Sequence, residues 1–118
     1  MKMNKTRHFD QRTNQRGVSS PMGDLTLKIG EIKGDKYIAN RKVIKNYLSE
    51  LDQKLKKLSV LKRKFAHLRV VYLVQKALIT LQKMRCIALK ILDKGGVTIV
   101  CEGSSLITVY NTSSYKRN

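Results

Sequence analysis

Acidic residues are what this chain most lacks. Its 118 residues hold 25 Lys and Arg against 8 Asp and Glu, a formal charge of +17. Such a domain repels itself and attracts polyanions. Nucleic acid is the leading candidate, because each phosphate covered releases counterions. An anionic membrane surface, an acidic protein or a ribosomal site suits the charge as well. Tryptophan is absent, and phenylalanine occurs only as Phe9 and Phe65, so aliphatic side chains must fill the core. Cys86 and Cys101 are too few, and wrongly spaced, for a structural zinc site. They read as reduced, buried small side chains of an intracellular protein, with a disulfide between them as the lesser alternative.

Other absences narrow the chemistry. The most apolar stretch, VVYLVQKALITL at 70–81, is cut by Gln75 and Lys76 and is too short to span a bilayer. The start, MKMNKTRHFDQR, has no signal-peptide core. A soluble, cytoplasmic protein without a membrane span is the expectation. No GxxxxGK[ST], GxGxxG or GxSxG motif occurs, and the acids are scattered. Nucleotide hydrolysis, serine hydrolysis and metal catalysis are therefore poorly supported. No metal and no cofactor is expected.

The length suits one domain, 1–118. A basic helix is expected within 1–17, closed by Gly17 as a left-handed cap with Val18 making the apolar contact. Ser19 or Ser20 before Pro21 marks a second helix, with Met22, Leu25 and Ile29 on one face. Leu25 and Leu27 also alternate, which leaves a strand open there. A Gly34-Asp35 turn leads into a short strand at 36–39, and Asn40 is placed to cap the next helix. Residues 41–92 contain neither Gly nor Pro, and their apolar positions recur at helical spacing. A break is expected at 58–64, where Ser59 and the run Lys62-Arg63-Lys64 sit, giving helices over about 41–57 and 60–92, and a break near Lys83 stays open as well. Gly95-Gly96 then turns the chain into two β-rich runs, VTIVC and LITVY, a β-hairpin over 96–111. The fold class is α+β, with N-terminal and long central helices packed on a small antiparallel sheet that ends in the C-terminal hairpin.

Three landmarks carry a resemblance: HFDQRTNQRGV, IGEIKGDKYIA and KGGVTIVCEGSSLITVY. Together they resemble a family of small bacterial domains of unknown function, which is similar in turn to the RelE, barnase and colicin-type ribonucleases. The family pairs a His/Arg helix ending in an Arg-Gly-Val step with a terminal Ile-Thr-Val-Tyr-like strand. The likeness covers the two ends of the chain; residues 42–89 are longer and more helical than its pattern. It implies helices on a small antiparallel sheet, RNA as the partner, an acidic antitoxin-like protein as another, and a toxin-like ribonuclease activity that needs no metal.

The candidate site residues fall in three groups. His8, Arg12 and Arg16 are four apart, so a helix places them in one stripe about 12 Å long. Histidine moves protons near neutral pH, and arginine grips phosphate and stabilises developing charge. The competing reading is an ordinary solvated basic face. In LITVY, alternation puts Ile107 and Val109 toward the core, with Leu106, Thr108 and Tyr110 on the other face. Tyr110 would stack on a base or bond phosphate, and Thr108 would help position RNA. If the first helix crosses that face, the stripe meets Tyr110. Lys57, Arg63, Lys64 and Arg69 form a phosphate-binding surface, an anionic-lipid face or simply a solvated face. His67 has no acid/base partner nearby and reads as a partly exposed helix residue. Three functions stay open: an RNA-interacting protein with or without ribonuclease activity, a non-catalytic nucleic-acid-binding or regulatory protein, and an interaction protein with an acidic partner.

Overall fold

Capping side chains set where three of the helices begin. The structure, a computed structural model, describes residues 4–112. The first strand, β1 (Asn4–Lys5), leads to Thr6, whose hydroxyl accepts the Phe9 N–H at 3.1 Å and starts α1 (Arg7–Arg16). Ser19 accepts from Met22 N–H at 3.4 Å ahead of α2 (Ser20–Ile29), which carries Pro21 in its first turn. That settles helix over strand for Leu25 and Leu27. Asn40 accepts from Val43 N–H at 2.9 Å and opens α3 (Arg41–Lys64). Each cap satisfies an N–H that the first turn leaves without an intrahelical partner. Gly17 closes α1 at φ 65°, as its sequence position implies.

Between α2 and α3 the chain makes a tight hairpin. β2 (Glu31–Lys33) pairs antiparallel with β3 (Lys36–Ala39) across Gly34-Asp35. β2 escapes a reading of the sequence because all three of its residues are exposed. The helix α4 (Val71–Asp93) comes after α3 and returns to β4 (Val97–Glu102) and β5 (Ser105–Asn111). The five strands order as β1-β5-β4-β3-β2. All neighbours are antiparallel except β1, which joins β5 in parallel at Lys5 and Leu106. The expected antiparallel sheet thus gains a parallel edge, because residues 4 and 5 pair beside β5.

Three local expectations are corrected. The break between the long helices lies at 65–70, not 58–64. Lys62, Arg63 and Lys64 form the last turn of α3, where cations favour the negative end of the helix dipole. They finish the helix from inside, and His67 lies on the connecting turn, not on a helix. Second, the pairing of β4 with β5 shifts register between Val100 and Cys101, which leaves Ile107 unpaired in a bulge. Leu106 and Val109 are therefore the buried residues of β5, and Ile107 is not. Third, Cys86 is exposed while Cys101 is buried.

One apolar cluster joins Phe9, Met22 and Leu25 to Ile44, Ala88 and Ile91, and to Val97, Ile99, Leu106 and Val109. All the helices enter it on one face of the sheet, but α3 and α4 do so only through their sheet-proximal ends. From 52 to 87 no side chain is buried. The pair extends outward as an arm, with α3 alone about 36 Å long at 1.5 Å per residue. The radius of gyration, 16.7 Å, reflects that arm; a compact chain of this length would have about 13.5 Å.

Candidate nucleic-acid interface

The N-terminal stripe is built by Thr6. Besides capping α1, its hydroxyl donates to Leu106 C=O at 2.8 Å, and its N–H donates to the same carbonyl at 3.2 Å. These bonds fix the start of α1 against β5. Phe9 then turns into the core, while His8 and Arg16 are exposed and Arg12 is partly so. At the other end, Lys94 Nζ donates to Arg16 C=O at 3.0 Å, tying α1 to the end of α4.

Within the stripe, Arg12 Nε donates to His8 Nε2 at 3.4 Å, and Arg12 Nη1 donates to Gln15 Oε1 at 3.2 Å. The first contact needs Nε2 as an acceptor, so it exists only in the neutral ring. His8 and Arg12 are therefore brought together as the spacing predicts, on a solvent-facing helix. Arg16 extends the same stripe. The cleft between α1 and α2 is lined by Lys5, Phe9, Asp10, Asn14, Asp24 and Leu27, among others, and by none of the stripe residues. Its two carboxylates oppose a phosphate ligand.

Thr108 and Tyr110 sit elsewhere. In register they face Val100 and Thr98 of β4, and they alternate with the buried Val109. Phe9 packs with Leu106 and Val109 in the core, so α1 covers the face those two share. Thr108 and Tyr110 point to the opposite face. The first helix does not cross that face, and the expected meeting of stripe and Tyr110 is replaced by two separate surfaces.

The basic arm is the third surface. Lys57, Arg63 and Lys64 are exposed on α3, and Arg69 is exposed on the turn. Residues 53–92 contain eleven Lys and Arg and no Asp or Glu. The ion pair from Arg85 Nε to Asp52 Oδ1, at 3.0 Å, marks where this acid-free stretch meets the rest of the fold.

A feature that sequence reasoning missed lies at the same end. Val60, Leu61, Leu68, Val70, Tyr72, Leu73 and Ile79 are all between 37% and 57% exposed. Five successive apolar residues at 70–74 cannot all face one partner helix, and that run was the available signal.

Two ionisable groups are displaced from their ordinary values. Burial, with a smaller effect of Asp35, pushes the Cys101 thiol up. Burial, then Glu50, does the same to the Tyr47 phenol. Both lie outside the basic surfaces. Among the described residues, no group of three His, Cys, Asp or Glu side chains could hold a metal ion. No described helix is long and apolar enough to cross a membrane. No protein-family model, no curated protein and no solved structure matches the chain.

Proposed function

We propose that this is a small RNA-interacting protein of the cytoplasm that meets phosphate with its helical arm. The observation that carries the reading is the acid-free stretch 53–92 on two projecting helices. Lys57 and Lys64, seven residues apart, share a helix face about 10 Å apart along the axis. Arg63 and Arg69 flank them toward the turn. A ligand running along the arm meets cations without meeting a carboxylate.

The His8–Arg12 contact favours a second reading, in which bound RNA is also cut. There His8 serves as acid or base, Arg12 and Arg16 hold phosphate, and Thr108 and Tyr110 position substrate, as the likeness to RelE and barnase-type toxins implies. RNA would pass around β5 to reach both surfaces. In a third reading, an acidic antitoxin-like protein takes the place of RNA.

The test uses end-labelled RNA without added metal, titrated with salt. Wild type should bind with a steep salt slope. Lys57→Gln, Arg63→Gln and Lys64→Gln together should reduce that slope by about 2, at about 0.7 per phosphate contact on a single strand. An unchanged slope refutes the arm as the interface. Cleavage by wild type but not by His8→Ala, with binding retained in both, establishes the ribonuclease reading. Intact bound RNA with both proteins leaves binding alone. A defined protein complex that survives nuclease treatment would replace RNA with an acidic partner.

A further inference from the structure

The apolar end of the arm goes beyond RNA binding, because phosphate has no use for it. Val60 and Leu61 lie on α3, Leu68 and Val70 on the turn, and Tyr72, Leu73 and Ile79 on α4. On α4, the half-buried Val74 and Leu81 come two residues after Tyr72 and Ile79, a rotation of about 200°. Tyr72 and Ile79, seven apart, share one face of α4, Leu73 lies about 100° round from it, and Leu68 and Val70 stand on the connecting turn, so the exposed apolar side chains are spread over the tip and are not confined to one helix stripe. A helical protein partner would fill a stripe; a tip that is apolar on several sides suits immersion in a medium.

Charge narrows the medium. Lys62, Arg63, Lys64, Arg69 and Lys76 stand among these side chains, and 53–92 holds no acid. A second copy of the chain would set the same cations against each other with no carboxylate to relieve them. RNA would engage the cations, yet of the exposed apolar group only Tyr72 offers a stacking surface. An anionic bilayer uses both sets: aliphatic groups enter the boundary between headgroups and chains, and lysines and arginines extend back to the headgroups. Tyrosine is at home at that level.

We propose that the tip of the α3–α4 arm enters the headgroup layer of an anionic bilayer, through Val70, Tyr72 and Leu73 with the flanking Lys and Arg holding the surface. The contact is shallow, consistent with the absence of a spanning helix among the described residues. It does not depend on whether the protein binds RNA.

The experiment is co-sedimentation of the full chain with vesicles of phosphatidylcholine containing about one-third phosphatidylserine, and with phosphatidylcholine alone. Wild type should bind the mixed vesicles and bind the neutral ones far more weakly. The triple variant Val70→Ser, Tyr72→Ser, Leu73→Ser keeps the charge and alters only exposed or half-exposed tip positions. It should lower the partition coefficient by roughly a hundredfold, with circular dichroism and RNA salt slope unchanged. No binding to the mixed vesicles overturns the proposal. So does a triple variant that binds them like wild type, since the attraction is then charge alone. A dimer in solution that the triple variant abolishes assigns the tip to a second copy, and loss of RNA affinity in the triple variant without vesicles assigns it to nucleic acid; either result also overturns the proposal.

Discussion

Two isoleucines on one helix separate the part of the arm that holds the fold from the part that does not. Ile91 is 0% exposed and sits in the core; Ile79, three turns earlier in α4, is 53% exposed. Ile91→Ala removes buried methyl groups and leaves a cavity beside Val97 and Ile99, a loss of about 2–5 kcal/mol for such a site. For Ile79 no cavity forms, because water already reaches the side chain. Full burial of an aliphatic side chain contributes about 1.5–3 kcal/mol, so half burial leaves about 1. Alanine's better helix propensity offsets a few tenths of that. Urea denaturation reads the contrast. With a slope of about 1–3 kcal/mol per molar, Ile91→Ala should move the midpoint by about 0.7 M or more, and Ile79→Ala by well under half as much as Ile91→Ala does. A loss of about 2 kcal/mol or more at Ile79 would refute the reasoning. It would mean that the outer arm is packed against something in the free protein.

Single sites give further expected outcomes. Gly96 has φ +97°, and an added Cβ would lie 2.6 Å from Ala39 C=O; Gly96→Ala should cost about 3 kcal/mol or more from backbone strain and collision, and Gly103→Ala, at φ +60° with open space around it, about 1 kcal/mol, both by urea midpoint. In native protein, iodoacetamide should label the exposed Cys86 long before the buried Cys101, and comparable rates would refute the burial assignment. Folding raises the Cys101 value, so the native chain keeps a proton that the unfolded chain releases. This contribution is whole below the ordinary thiol value of about 8.5 and is lost as pH rises through the native value. Cys101→Val should flatten that alkaline fall in stability; an unaltered slope would discount the thiol.

Local signals made much of the fold legible, and distant pairings hid the rest. Ser19-Ser20-Pro21, Asn40 and Gly95-Gly96 mark ends by chemistry that acts within four residues, and the structure uses each of them. β1 is two residues long and owes its existence to β5, a hundred positions away, so nothing in Asn4 and Lys5 announces it. Strict alternation sends Ile107 inward, but one unpaired residue reverses the phase, and only the pairing with β4 reveals that. At the helix break, Ser59 and the cationic run look like an interruption, whereas cations in a last turn favour the helix they end. The His8–Arg12 contact was readable from spacing. The separation of that stripe from Thr108 and Tyr110 was not, because it depends on which face of β5 Phe9 packs against.

Ala39 and Val97 are cross-strand partners, so the arm leaves the sheet and rejoins it at a single rung of the ladder. The reach of the arm is therefore adjustable without redrawing the sheet: matched removal of two turns from each helix would bring the tip about 11 Å closer, with the rung intact. The same arrangement shapes folding. Closing a long loop is entropically costly before its contacts form, but α3 and α4 meet through nearby residues and can zip toward the sheet. The arm that reaches outward in the folded protein is, during folding, the device that delivers β3 and β4 to each other.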